Sequence, residues 1–446
     1  MTLLERIGSF AGAIAGEAPP GIRREAEAHL LDSLVMMVAA REHPLTREAA
    51  QARLPFDADG ESAFTAGVAC DALGLDDFDE ETRTHPGAVV VSALLGGVVA
   101  SPQPVSGTAV LDGLITGYEV ILRFGELAGA SSLHDRGFHP SSVCGVIGAA
   151  AGLSLALGAN PVAATGIAAS LASGVFELDG RGAMKAMQTG WAASSALAAC
   201  RLAEAGYVPA PTVLEGPRGL LRGFGRGRVE EEAIAEALGG PMRISRVSFK
   251  PYSHFTDLHP ATAALLGLLR DGSLAVADLH EVEVRLKRGV GARLNAEFPP
   301  TATRLARRCP QFALAAAACR SDLEAMADPL LRAFDRAALE DPQILDLARR
   351  VRWIDDLPSD GVPAAVVTVR AADGRVVTAS AQGYPGDGRS DEDRWSLPDV
   401  AQRSASLLPD HAGELITIVE AFETLPDARV PAKRLAAVLR RSRRLR

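Results

Sequence analysis

Between Arg136 and Glu177 the chain carries no Asp, Glu, Lys or Arg. A stretch of that length without charge belongs in a membrane or deep in a protein core. Gly158-Ala159-Asn160-Pro161 divides it into two apolar runs of roughly 15 residues, short of the ~20 that a spanning helix needs. Ala, Gly and Ser dominate both runs, which suits helices packed closely inside a helical body. The expectation is a pair of buried helices across 143–176 and no membrane span.

Helical patterns surround that pair. Glu25 to Ala40 repeats its apolar residues at 3–4 spacing, Ala88 to Ala100 is a short apolar run, and Met187 to Ala205 continues the pattern before Gly206. The N-terminus, with Glu5 and Arg6 inside its apolar pattern, reads as an amphipathic helix and not as a signal peptide. Around Ser245 the character changes. His280 to Lys287 alternates like a strand, while Ala364 to Arg370 and Arg375 to Ser380 flank an Asp373-Gly374 hairpin turn. From about Leu397 helical patterns return, including Gly413 to Thr424. At 446 residues the chain exceeds what one core usually holds. The expected fold is mainly α: a large all-helical domain from residues 1–245 and 393–446, with a smaller α+β domain inserted at 246–392.

Composition excludes several function classes. Apolar residues at 48% and charged residues at 23% are globular values and rule out a disordered or fibrous chain. A net charge of −9 and a pI near 5.6 argue against nucleic acid as a partner. The cysteines, Cys70, Cys144, Cys200, Cys309 and Cys319, show no CxxC spacing, so neither a zinc knuckle nor a disulfide framework is indicated. The basic end RLAAVLRRSRRLR reads as a terminal helix with cations near its carbonyl end, the alternative being a nucleic-acid or membrane tether. A cytoplasmic chain with no membrane or nucleic-acid partner is expected.

Three His-Pro pairs carry the chemistry. His85-Pro86, His139-Pro140 and His259-Pro260 each precede an apolar helical segment, with Thr84 and Ser141/Ser142 as candidate caps. Each histidine therefore stands at the positive end of a helix, where carboxylates bind and imidazole stays neutral. A neutral imidazole can take a proton from carbon or donate to a developing enolate. The alternative is that His-Pro simply starts helices, as His43-Pro44 does with no chemical neighbours. Upstream of His85 lie Asp76, Asp77, Asp79, Glu80 and Glu81; a Mg²⁺ or Mn²⁺ site and an acidic surface turn are both open readings, although the spacing matches no metal loop. Arg136, near His139, is a candidate carboxylate fork. Only four of the 46 cationic residues are lysines, Lys185, Lys250, Lys287 and Lys433. Arg cannot lose its proton whereas a desolvated Lys can become a base. Lys185 follows the uncharged stretch and Lys250 stands nine residues before His259, so two of the four fall in segments already singled out. Despite the acidic balance, a locally positive pocket is expected.

These segments resemble the MmgE/PrpD family over nearly the whole chain. The residues that carry the likeness are ALGLDDFDEETRTHPGAVV (72–90), GYEVILRFGELAG with RGFHPSSVCGVIGAAAGLSLALG (117–158), ASGVFELDGRGAMKAMQTGWAA (172–193), AGYVPAPTVLEGPRGLLRGF (205–224) and FKPYSHFTDLHPATAAL (249–265). The resemblance implies a helical domain with a smaller α+β lid domain, a homodimer, and chemistry on small polycarboxylates without an iron–sulfur cluster. It implies that Asp76, Asp77, His85, His139, Lys185 and His259 line a cleft between the domains. Departures accompany it. Gly74 to Asp79 stands where the family commonly has Asp-Phe-Asp-Asp-Thr-His, and the loop to His85 is one residue longer. Gln188 replaces a His, Phe255 a Cys and Phe312 a Tyr, while His254 is an added polar group.

The function expected is a cofactor-independent, metal-free lyase, a dehydratase or decarboxylase of a small di- or tricarboxylic acid. His259 or Lys185 would abstract the proton. His85 and His139 would hold carboxylates and stabilise the enolate, Asp77 would orient a histidine, and Asp76, Arg136, Gln188, Lys250 and His254 would contact substrate. An isomerase or epimerase using the same bases is one alternative. A metal-dependent or non-catalytic protein on the same scaffold is another.

Overall fold

The computed structural model describes residues 1–14, 18–52, 54, 58–177, 183–224, 239–295, 297–320, 336–359 and 362–441. The chain divides into two compact units. One comprises Met1–Asp179, Ala183–Ser248 and Ser396–Arg446; the other is built on Phe249–Trp395.

The first unit is helical. Its N-terminal part runs α1 (Leu3–Ile14), α2 (Pro20–Ala39), α3 (Pro44–Gln51), α4 (Ala58–Ala72), α5 (Pro86–Ala100) and α6 (Gly107–Ala128). It continues with α7 (Ala130–Asp135), α8 (Pro140–Val143), α9 (Gly145–Ala156), α10 (Pro161–Leu171), α11 (Ala183–Glu204) and α12 (Leu220–Phe224). The charge-free stretch becomes α8, α9 and α10, and the turn at Gly158 divides it as its sequence demands, with Asn160 capping α10 through the N–H groups of Val162 and Ala163. Helix α9 is buried on almost every side, packed against α5, α6, α10 and α11. Small residues make this close approach feasible. A Cβ on Gly152 would stand 2.1 Å from the Gly113 carbonyl oxygen, and one on Gly148 2.5 Å from that of Gly117. Among the described residues no helix is long and apolar enough to cross a membrane.

The second unit holds a four-stranded sheet, β1 (Glu281–Lys287), β2 (Val351–Leu357), β3 (Ala365–Arg370) and β4 (Val376–Ala381), in the order β2-β1-β3-β4. Strands β3 and β4 form the antiparallel hairpin around Gly374, whose φ of 87° suits glycine, and β1 pairs parallel with β2. Helix α13 (His259–Arg270) packs on β1, β3 and β4, and α14 (Pro310–Arg320) on β2. Val282, Val284 and Leu286 of β1 join Leu265, Phe312 and Val367 in its core. Phe312 is wholly buried there. The helices α15 (Leu397–Leu407), α16 (Ala412–Glu420) and α17 (Arg429–Arg441) complete the helical unit. The fold is mainly α with a small sheet, as the patterns indicate; residues 442–446 of the basic end lie outside the described residues.

Candidate active site

Helix α4 ends at Ala72, and Gly74 follows with φ of 68° and its N–H on the Asp71 carbonyl. The loop that comes next is tied internally. Asp79 accepts from the backbone N–H of Thr82 at 2.9 Å and from Arg246 Nε at 2.8 Å, and Arg83 takes the left-handed conformation at φ 57°. The acidic run is divided: Asp76, Asp77 and Asp79 are each 1% exposed, while Glu81 at its end is exposed. Three buried carboxylates so close in sequence need separate partners, and each has them.

Asp76 serves His85. The His85 Nδ1 lies 2.9 Å from Asp76 Oδ2 and 2.8 Å from the Asp77 carbonyl oxygen. Both neighbours are acceptors, which assigns the ring hydrogen to Nδ1 and leaves Nε2 as the nitrogen able to take a proton. The Asp76 oxygen is also 4.0 Å from Lys185 Nζ, and Lys185 is ion-paired to Asp71. The main-chain N–H of His85 donates to Ser141 Oγ at 3.0 Å, joining the His-Pro starts of α5 and α8. Thr84 and Ser141 do not act as the expected caps of their own helices.

The cap of α5 is Asp77. Its Oδ1 accepts from Gly87 N–H at 2.9 Å, while Oδ2 accepts from the Tyr118 hydroxyl at 2.6 Å and lies 3.0 Å from His29 Nδ1. The side chain thus turns toward α2 and α6, while the Asp77 backbone carbonyl meets His85. A Cβ on Gly87 would stand 2.5 Å from Ser33 Oγ and 2.7 Å from Tyr118 Oη, so this network requires glycine there. Burial, then the Asp77 charge, push the Tyr118 hydroxyl well above the usual tyrosine range.

His139 is 1% exposed. Burial first, then the charges of Lys185 and His85, hold it well below the usual histidine range, with Gln188 opposing. Among the described residues neither ring nitrogen makes a hydrogen bond of normal geometry. Gln188 Nε2 donates to the Val175 carbonyl at 2.7 Å, and the Gln188 main-chain carbonyl accepts from Ser142 Oγ at 3.3 Å. Arg136 is exposed and donates to the Gly223 carbonyl at 3.1 Å, so its guanidinium is turned to the surface. Among the described residues of the helical unit, the Lys185 ammonium faces the two carboxylates of Asp71 and Asp76.

The second unit carries its own buried group. His259 begins α13 and is wholly buried, its ring edge-on to those of Tyr252, His254 and Tyr384 at 4.7–5.3 Å. Its Nε2 lies 3.2 Å from the His254 carbonyl. Burial, then the charges of His254 and Lys250, hold it well below the usual histidine range. His254 is lowered to about 4, chiefly by burial. Its neutral ring places Nδ1 3.2 Å from the Phe255 carbonyl and Nε2 3.0 Å from the Thr262 hydroxyl. Lys250 is 5% exposed.

The sequence-derived residues therefore form one group in each unit: Asp76, Asp77, His85, His139, Lys185 and Gln188 in the first, Lys250, His254 and His259 in the second. Sequence reasoning missed Asp71, His29 and Tyr118. Asp71 carried a signal, since a carboxylate in the last turn of a helix opposes the helix dipole and needs a cation. His29 offered only a polar residue within an apolar stripe. Among the described residues no cluster of three or more His, Cys, Asp or Glu side chains is arranged to hold a metal ion.

The MmgE/PrpD N-terminal domain matches residues 5–232. A cis-aconitate decarboxylase-like protein, oryM, of Aspergillus oryzae is 27% identical over 296 residues, 60% of this chain and 61% of that protein. A cis-aconitate decarboxylase of Aspergillus terreus is 26% identical over 278 residues, 56% of this chain and 57% of its own. The match thus spans about three fifths of these relatives' length.

Proposed function

This chain belongs to the MmgE/PrpD family, and from that premise we propose that it is a lyase, a dehydratase or decarboxylase of a small di- or tricarboxylic acid. The observation that carries the reading is the Asp76–His85 pair beside Lys185. In this reading His85 Nε2 removes a proton from the carbon next to a carboxylate, while Asp76 keeps the hydrogen on Nδ1 and stabilises the imidazolium that forms. Lys185 offers a cation to a substrate carboxylate. Neutral His139, beside Gln188, donates to the enolate oxygen as charge develops there. Each role is a local one that needs no charge other than those in the helical unit. His259 is a separate candidate base, and His259→Ala in the same exchange experiment assesses it. The names of the relatives support cis-aconitate as the first compound to try.

The test is incubation of cis-aconitate and a panel of small di- and tricarboxylic acids with the protein in D₂O, followed by NMR. Loss of CO₂ or water, or exchange of the carbon-bound hydrogen, is expected with at least one of them, and is expected to vanish in His85→Ala. A product of unchanged mass would replace the lyase by an isomerase. No exchange or turnover with any acid would overturn the reading.

A further inference from the structure

Two residues of the helical unit sit where helix electrostatics disfavour them. Asp71 is a carboxylate in the last turn of α4, and Lys185 is a cation in the first turn of α11. The negative end of one helix meets the acid and the positive end of the other meets the base, so each placement alone is unfavourable. The Asp71 side chain is 4% exposed, which makes an unpaired charge there costly. The two are compatible only because the Lys185 ammonium is ion-paired to the Asp71 carboxylate. Local rules broken in pairs and repaired by each other are characteristic of sites shaped by function.

The second contact of Lys185 gives the pair its consequence. Lys185 Nζ is 4.0 Å from Asp76 Oδ2, the oxygen that holds His85 Nδ1 at 2.9 Å. One carboxylate is thus shared between an ammonium and an imidazole, and a second carboxylate draws the ammonium away from it. Without Asp71, Lys185 would turn to Asp76 and compete with His85 for the same oxygen.

We propose that Asp71 is a positioning residue that holds Lys185 as a fixed ammonium, so that Lys185 anchors a substrate carboxylate and leaves Asp76 to His85. This rests on the lyase reading for the anchoring and on geometry alone for the pairing. It also takes Lys185 out of the candidates for the base: a cation flanked by two carboxylates keeps its proton, and in the lyase reading proton removal is left to His85.

The scarcity of lysine makes the test direct. Protein grown on lysine labelled with ¹³C at the ε-carbon has four side-chain signals, and Lys185→Arg assigns the one in question. In the unsubstituted protein the Lys185 signal is expected to stay at its ammonium position up to the ordinary lysine range, about pH 10.4. In Asp71→Asn it is expected to titrate about one pH unit lower or more. The KM for the substrate acid is expected to rise about tenfold, kcat to fall less, and Asp71→Glu to restore most of both. A Lys185 signal that titrates near neutrality in the unsubstituted protein, or one that Asp71→Asn leaves unmoved, would overturn the pairing; a moved signal with unchanged KM would overturn the anchoring. The unsubstituted measurement stands even if Asp71→Asn does not fold. If no acid is turned over, the lyase reading fails while the titration still decides whether Asp71 holds Lys185.

Discussion

His85 and Asp76 meet at 2.9 Å, Nδ1 to Oδ2, with the Asp77 carbonyl on the same nitrogen. The ring is gripped by its Nδ1 edge from two directions, so both its tautomer and its orientation are set before any substrate arrives. Preorganisation of this kind is what a general base needs, because rotation or tautomer exchange would otherwise accompany every turnover.

Asp76→Asn keeps the shape of the pair and removes its charge. The Asp77 carbonyl still holds the hydrogen on Nδ1, so what the variant loses is the negative charge that stabilises the imidazolium as it forms. The turnover number or the C–H exchange rate is expected to fall about 10²–10⁴-fold with KM changed little. The double variant Asp76→Asn/His85→Ala is expected to be no slower than His85→Ala, since the two act as a unit. Rate measurements on the three variants decide this, and losses that multiply in the double variant would show independent roles.

The buried histidines set an acid limit on stability. His139, His254 and His259 are all held below the ordinary value by burial, so the folded protein leaves them neutral while the unfolded chain protonates them. For a lowered histidine the stability is present above the unfolded value of about 6.5 and is lost as pH falls from there toward the folded value. Each costs about 1.4 kcal/mol per pH unit in that window. The urea midpoint is expected to drop steeply between pH 6.5 and about 5, and His254→Asn to make the drop shallower. A midpoint flat across this range would contradict the neutral assignment.

Gly87→Ala probes the network behind the histidine. The added methyl group would collide with Ser33 Oγ and Tyr118 Oη, both buried. Overpacking of this kind costs about 1–3 kcal/mol. Tyr118→Phe removes one donor from Asp77 and is expected to cost about 1–3 kcal/mol, the usual penalty for a buried acceptor left short of a partner. Equilibrium unfolding of both variants gives these values directly.

The periodicity of α2, α5 and α9 was legible because burial of an apolar face is written residue by residue. The sheet was legible where alternation and the Asp373-Gly374 turn are local. Strand β2 escaped because VRWIDDL interrupts alternation with adjacent acids, which Arg285 and the N–H groups of Gly289 and Gly291 engage from elsewhere in the unit. The same distinction governs the site. His-Pro placed His85 and His139 at helix starts, which is local information. The division between Asp76 and Asp77 was not legible, because adjacent residues in a loop point to opposite sides and only the fold decides which side meets His85. Asp71 and Lys185 lie 114 positions apart, and nothing short of the packing of α4 on α11 brings them together.

Arg403 on α15 ties the C-terminal segment to this site from behind. Its Nη1 donates to Asp32 Oδ1 at 2.6 Å and its Nη2 to the Leu75 carbonyl at 3.3 Å, next to Asp76. Both side chains are at most 3% exposed. Burial, with the Asp77 charge adding and Arg403 opposing, raises the Asp32 carboxyl to about 6. Arg403→Leu would strand that carboxylate, at a cost of about 3–5 kcal/mol at neutral pH, whereas Arg403→Leu/Asp32→Leu removes the stranded charge and is expected to recover most of the loss. For a raised carboxyl, stability is fully present below the unfolded value near 3.8 and is lost as pH rises through the folded value. The deficit of Arg403→Leu relative to the unsubstituted protein is therefore expected to be smaller at pH 5 than at pH 8. Urea unfolding at the two pH values measures it, and a deficit independent of pH would show that packing and the Leu75 hydrogen bond, not the charge on Asp32, carry the contribution of Arg403.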